Sequence, residues 1–396
     1  MMAALQLILA ALLAFSVGLL VFHFVLYPAL LWAIWRVMRR PAVVKPAQAA
    51  TASLVIAAHN EAPIIVERLK NALAQTIGDF ELILVSDGSS DGTADLAQSL
   101  DDARLRVIEL DERRGKAHTL NIGTAAAKGD IIVLSDANAL FAENAVAALL
   151  AAFDDPATGV ASGAITTSTG QSGTGQAIGA PEGVYWRYES FIRRLESDIA
   201  STVSVVGPLL AVRRTALEPI PEGIVNDDAY RALSALKAGW RVVYVPAARC
   251  WRRPSSNHRQ ELERRKRIAA GRYQQLVQTG LWPVNQPIVL SFWVAHKILR
   301  LIAPFLMAIA LASNIVLVIS FLAISGPQTA LPAVLLAAQA GFYGLGVIGM
   351  SAPRGSGAWQ LPAAIASFLR VMAGNLAGFG RFIAGRQSVL WVKAER

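Results

Sequence analysis

Only one cysteine, Cys250, occurs in 396 residues. That excludes an intramolecular disulfide and a cysteine metal cluster, and leaves an ordinary packed thiol. Charge is scarce too: 16% of residues are Asp, Glu, Lys or Arg against 54% hydrophobic, and mean hydropathy is +0.43. This balance excludes an ordinary soluble enzyme and implies a membrane protein with a polar middle. The shortage is regional. Residues 1–35 contain no Asp, Glu, Lys or Arg, and neither do residues 301–352. Both runs exceed the roughly 20 residues that a helix needs to cross a bilayer. Internal repeats are also absent.

What is present sets a topology. Arg36, Arg39, Arg40 and Lys45 follow the first apolar run. A cleavable leader carries its positive charge before the run and a small-residue cleavage site after it, so this run reads as a retained anchor with a cytoplasmic basic flank. Residues 301–352 break once, at Ser325, Gly326, Pro327 and Gln328, which predicts two spans joined by an outside turn, with Arg354 marking the return. Residues 287–300 mix aromatics with His296, Lys297 and Arg300, and residues 359–391 are interrupted by Arg370, Arg381 and Arg386. Both stretches predict helices lying in the interface. The expected layout is a transmembrane anchor with basic flank (1–45), a cytosolic domain (46–280), and two interfacial helices with two spans (281–396). Three spans thus hold the chain in the inner (cytoplasmic) membrane as a multi-pass protein. The net charge of +9 suits either a basic surface beside an anionic leaflet or a channel for an anionic ligand.

Between about residues 52 and 280, short apolar runs alternate with amphipathic stretches, the pattern of an α/β domain with a largely parallel sheet. Strands are predicted at 53–58, 81–85, 106–110, 130–134, 160–164 and 241–245. A helix is predicted at 62–75, with Ile65, Leu69, Ala72 and Leu73 on one face. Ligands of such sheets collect beyond the carboxyl ends of the strands, and the loops there are polar: His59, Asn60 and Glu61; Asp87 to Thr93, reading DGSSDGT; Arg114, Gly115 and Lys116; Asp136, Ala137 and Asn138. Asp91 reads as a helix cap and Asp87 as the ligand contact. Residues 173–179, GTGQAIG, place the last glycine one position late for a dinucleotide loop and lack a leading strand, so they read as a loop.

The ordered motifs AHNE, DGSSDGT, RGKAHTLNIG, SDAN, YWRYE and NDD resemble those of the family 2 glycosyltransferases, inverting enzymes of GT-A fold that use nucleotide sugars. The membrane-embedded, polysaccharide-synthesising branch is the most similar. The resemblance implies an α/β GT-A domain flanked by transmembrane and interfacial helices. It places His59, Glu61 and Asp87 in a uridine pocket, and a carboxylate can accept hydrogen bonds from uracil or ribose donors. Lys116 would approach the base or the diphosphate as a point charge. Asp136 matches the first aspartate of the family's Asp-x-Asp motif, where a hard divalent cation, Mg2+ or Mn2+, is held by oxygens. Asn138 stands in place of the second, and offers only a neutral oxygen. Weak metal affinity without nucleotide follows.

Asp228, in Asn226-Asp227-Asp228, is implied as the general base with Asp227 as its acidic neighbour, since an adjacent carboxylate raises a carboxylate's pKa toward working pH. Two aspartates in a first helical turn also suit the macrodipole alone. Gly207, in Val206-Gly207-Pro208, resembles the small-residue segment that admits an acceptor. Trp186, on a helix predicted at 182–200, either stacks on an acceptor sugar or packs against the membrane helices. Arg264 and Arg267 occupy the place of a Gln-x-x-Arg-Trp motif, with arginine for glutamine and Ile268 for the tryptophan. They suit the diphosphate, a lipid phosphate or anionic lipid. The implied function is metal-assisted sugar transfer from a UDP-sugar to a growing exopolysaccharide or lipid-linked saccharide. The alternatives are single addition to a polyprenyl-linked or other glycolipid, and a catalytically silent nucleotide-sugar-binding scaffold. Expected partners are the donor, the acceptor, membrane lipids and export components, and no nucleic acid.

Overall fold

A computed structural model of the protein describes residues 2–38, 51–165, 180–252, 258–322, 330–351 and 357–385. Arg39, Arg40, Lys45, Arg354, Arg386, the loop at 173–179 and the turn at 325–328 lie outside the described residues. Among the described residues are the strands β1 Ala52–Ala58, β2 Phe80–Asp87, β3 Leu105–Leu110, β4 Ile131–Asp136, β5 Ala139–Phe141, β6 Thr158–Ile165, β7 Leu210–Arg213 and β8 Arg241–Arg252. They form one sheet in the order β3-β2-β1-β4-β7-β6-β8-β5. Strands β3, β2, β1 and β4 are parallel, connected through α3 Ala62–Leu73, α4 Thr93–Gln98 and α5 Lys116–Ala126.

The other half corrects the expectation of a largely parallel sheet. Strand β7 runs antiparallel to β4 and β6, and β5 antiparallel to β8, while β6 and β8 are parallel. Sequence missed β5 and β7 because they are three and four residues long, too short for an alternation to show. The chain builds outward from β1 to β2 and β3, then crosses to β1's other side with β4. That reversal opens a crevice at the carboxyl ends of β1 and β4, the usual place for a ligand. Their register sets Ala57 opposite both Val85 and Asp136, so the loops after β1, β2 and β4 emerge together.

Each strand feeds two cores because successive side chains point to opposite faces. Leu54 and Ile56 of β1 pack with Leu82, Leu84, Ile65 and Leu69 on one face. Val55 and Ala57 pack with Ile83, Val85, Leu120 and Leu134 on the other. Fully burying each such aliphatic side chain contributes roughly 1.5–3 kcal/mol. The second core also takes in Tyr27, Leu31, Phe292 and Trp293, so the domain and the apolar helices share one interior.

Four helices among the described residues are long and apolar enough to cross a membrane: Met2–Val37, Pro287–Leu322, Ala330–Met350 and Gln360–Ile383. The first comprises α1 Met2–Val21 and α2 Tyr27–Val37, joined by a π-helical turn at Phe22–Leu26. The second comprises α10 Pro287–Phe292 and α11 Leu299–Leu322, joined by a π turn at Trp293–Ile298. Ala330–Met350 is α12 and Gln360–Ile383 is α13, with α6 Ala145–Leu150, α7 Ala180–Ile199, α8 Asp227–Lys237 and α9 His258–Val277 preceding them. The expected count was three. Arg370 and Arg381 fall about three turns apart on one stripe of α13, so the rest of its surface stays apolar.

The expected interfacial helix at 287–300 is instead continuous with α11. At 36 residues this helix is about 54 Å long, well beyond a hydrocarbon core of about 30 Å. The two π turns meet where His23 Nδ1 donates to the Ala295 carbonyl at 2.7 Å.

Candidate active site

The site is assembled from the strand ends. After β2, Gly88 holds φ +56°, and a Cβ there would lie 2.6 Å from the Arg113 backbone nitrogen. Only glycine lets the loop after β3 approach so closely. That loop is then fixed by Asp87, fully buried, whose two oxygens accept the backbone amides of Arg114 at 2.8 Å and Gly115 at 2.9 Å. The His59 ring donates from Nδ1 to the Asp87 carbonyl at 2.7 Å, tying β1 to β2. The Glu61 amide donates to Thr93 Oγ1 at 2.9 Å. Asp91 accepts the amides of Thr93 and Ala62 while Gly92 takes the formal cap position of α4 in a left-handed conformation. Asp91 therefore holds the turn, one residue earlier than the cap it was expected to be.

Asp87 thus delivers Lys116 at the first residue of α5. The Lys116 ammonium lies 2.9 Å from Asp136 Oδ1, at the end of β4, and 3.1 Å from Asp227 Oδ1, at the start of α8. Burial works against charge on this amine, but Asp136 and Asp227 outweigh it and raise its pKa. Asp228 is the counterpart. Burial, and next the neighbouring Asp227, raise its carboxyl above the ordinary range, with Lys116 opposing. A Cβ on Gly207 would lie 3.1 Å from Asp228 Oδ2, so the glycine leaves clearance beside that carboxylate. Ser135 Oγ donates to the Pro208 carbonyl at 2.7 Å, pinning the Gly207 segment to the strand that carries Asp136.

Helix α9 closes the site. Asn226 Nδ2 donates to the Ile268 carbonyl at 3.0 Å and the Gln275 amide donates to the Asn226 carbonyl at 3.2 Å, which locks the start of α8 to α9. Arg267 on α9 is half-buried. Burial lowers its pKa, and so does Arg264, while Asp227 and Asp136 act the other way, which brings Arg267 into the electrostatics of the aspartates with Arg264 beside it. Asn138, two residues beyond Asp136, keeps a buried Oδ1 without a hydrogen-bond partner, as a neutral metal ligand would. Among the described residues no group of three or more His, Cys, Asp or Glu side chains is arranged to hold a metal ion by itself. A cation here would rest on Asp136 and Asn138 and take its remaining oxygens from elsewhere.

The structure therefore gathers Lys116, Asp136, Asp227, Asp228, Gly207 and Arg267, with Asp87 and His59 one layer behind. Trp186 sits on α7, where the Arg193 guanidinium lies 5.8 Å from its ring centroid. Sequence reasoning missed Arg68, which is 1% exposed. It donates to Ser135 Oγ at 2.9 Å and to the Asp136 carbonyl at 3.3 Å, over the Phe141 ring. Burial lowers its pKa to about 9. Its place on the apolar face, between Ile65 and Leu69, signals burial but not the groups it binds.

Residues 53–220 match the model of "Glycosyl transferase family 2". This region, 53–220, is a family 2 glycosyltransferase domain. It is 26% identical over 206 residues to the poly-beta-1,6-N-acetyl-D-glucosamine synthase of Staphylococcus aureus (strain COL), covering 50% of this chain and 49% of that protein. It is 32% identical over 99 residues to the glycosyltransferase GlyG of Streptococcus pneumoniae serotype 4 (strain ATCC BAA-334 / TIGR4), covering 24% of this chain and 33% of that one. The match thus spans about half the length of the synthase. Among solved structures, the mannosyltransferase PcManGT from Pyrobaculum calidifontis, in complex with GDP-Man and Mn2+, aligns with TM-score 0.70 over 96% of this chain and 99% of that one, at 23% identity. The shared architecture is the family's GT-A-like fold with flanking apolar helices.

Proposed function

We propose that this protein is a membrane-bound inverting glycosyltransferase that moves a sugar from a UDP-sugar to a growing exopolysaccharide or a lipid-linked saccharide. The observation that carries the reading is the meeting of Lys116, Asp136, Asp227 and Asp228 at the carboxyl ends of the strands. Such transfer needs charge stabilisation at the departing diphosphate and a base for the attacking hydroxyl. Lys116 and Arg267 provide cations for the first. Asp228 provides the second: raised above the usual carboxylate range, it holds a proton more readily than an exposed aspartate. It takes the acceptor's hydroxyl proton as that oxygen bonds to the anomeric carbon and the diphosphate leaves from the opposite face.

A divalent cation, Mg2+ or Mn2+, when bound supplies further neutralisation of diphosphate charge. Asp136 and the unpartnered oxygen of Asn138 would hold it. His59, Glu61 and Asp87 support the space for the uridine, Asp87 from one layer behind through the Arg114 and Gly115 amides it holds, and Gly207 leaves room beside Asp228 for the acceptor. The domain at 46–280 faces the cytosol of the inner membrane, with the segments at 1–45 and 281–396 as membrane regions. The absence of a tryptophan at Ile268 favours addition of one sugar as the second reading. A panel of UDP-sugars with native membrane lipids, scored by product mass, tests both. A ladder of long products supports polymer synthesis and a single added sugar supports the second reading. No product from any donor overturns both.

A further inference from the structure

The carboxylate on which a metal would rest, Asp136, already holds a cation. Lys116 Nζ spans Asp136 and Asp227 at 2.9 and 3.1 Å, and its side chain is only 26% exposed. Its backbone is fixed, because Asp87 binds the two amides just before it. Only the side chain has freedom to move. A lysine ammonium is a compact charge on a flexible four-carbon stem, able to exchange one set of oxygens for another.

We infer that Lys116 is the counter-cation of the nucleotide-free site and keeps divalent metal off Asp136 until a nucleoside diphosphate offers the ammonium replacement oxygens. The inference rests on the proposed reading of this site as a donor-diphosphate site. An ammonium and a divalent ion repel strongly across a few ångströms where water is partly excluded. Metal binding alone therefore requires Lys116 to abandon two short ion pairs for solvent. A diphosphate removes that cost, since its anionic oxygens receive Lys116 as Asp136 is released. Asn138 Oδ1, buried and unpartnered, is a second oxygen that stays unused until then. Metal and nucleotide consequently bind with positive coupling, and each must promote the other equally.

The test is a Mn2+ titration of the purified full-length protein in detergent, with free metal counted by electron paramagnetic resonance, without and with UDP. In the wild type, binding is weak alone and tightened by UDP. In Lys116→Met, nucleotide-free affinity rises by about tenfold or more, within the usual range of coupling between sites, and the gain from UDP shrinks. Lys116→Gln, polar but uncharged, gives the same result and serves if the methionine variant does not fold. Lys116→Arg keeps the charge and stays weak; a rise like that of Lys116→Met would overturn the inference. So would unchanged or weaker nucleotide-free affinity in a folded Lys116→Gln variant. UDP-dependent Mn2+ binding indifferent to Lys116 overturns the inference alone. No Mn2+ binding with or without UDP overturns the reading of the site with it.

Discussion

Asp227 and Asp228 are adjacent in the chain and differ in their surroundings. Asp227 shares a cation with Asp136; Asp228 is pushed up by burial and then by Asp227. A base works only when deprotonated, so in the proposed role of Asp228 turnover rises with pH through its folded pKa. Asp227→Asn removes the largest raising influence after burial and moves the acid limb of the pH–rate profile to lower pH, measurable on kcat. For stability the sign is opposite to that of a salt-bridged aspartate. The folded state retains the Asp228 proton above the unfolded pKa, so stability present at low pH is lost as pH rises through the folded value. The placement of these residues was legible in the sequence, because Asp87, Lys116, Asp136, Asp227 and Asp228 each end a strand or start a helix. Arg68 was not, since nothing in a helix pattern says that a guanidinium lies under a strand end and binds its carbonyl.

At the level of elements, the parallel half of the sheet is written in its side chains. Runs such as those of β1 and β2 are buried on both faces and read as continuous apolar stretches. The antiparallel half is not, because β5 and β7 take their pairing from β8, β4 and β6 and not from local pattern. The segment before β7 matters most, since Gly207 sits against Asp228. Gly207→Ala places a methyl 3.1 Å from the Asp228 oxygen, tighter than most carbon contacts. Turnover should fall by about tenfold or more, on the scale of small misplacements of catalytic groups. UDP affinity, measured by calorimetry, should hold. A loss of UDP binding instead would place Gly207 on the donor side.

Across the whole molecule, a buried charged network joins the domain to its apolar helices. Glu189 on α7 accepts from Arg193 at 3.2 Å, Ser204 Oγ at 2.8 Å and Arg300 at 2.5 Å. Glu196 accepts from Tyr27 at 2.7 Å, Thr202 at 3.0 Å and His296 Nδ1 at 2.7 Å. Burial would keep Glu189 protonated, but Arg300, His296 and Arg193 outweigh it and hold the carboxyl well below the usual range. Sequence marked His296, Lys297 and Arg300 as interfacial because their acidic partners lie about a hundred positions earlier. Local pattern cannot pair residues so far apart. Removing one partner of a buried pair typically costs about 3–5 kcal/mol, so Glu196→Ala should lower the thermal unfolding midpoint in detergent clearly, whereas a change at the exposed Glu109, such as Glu109→Ala, should leave it near wild type. Equal midpoints would mean that the network does not bind α2 and the π turn to the domain.

The most direct check of the site as a whole is metal-dependent UDP release from sugar donors by the full-length protein with membrane lipids, wild type against Asp228→Asn. Loss of a general base typically costs between about a hundredfold and ten-thousandfold. The wild type should release UDP only as sugar is transferred, and Asp228→Asn should fall by at least about a hundredfold while still binding UDP. Release by Asp228→Asn at the wild-type rate, or no release by the wild type from any donor, would contradict the account.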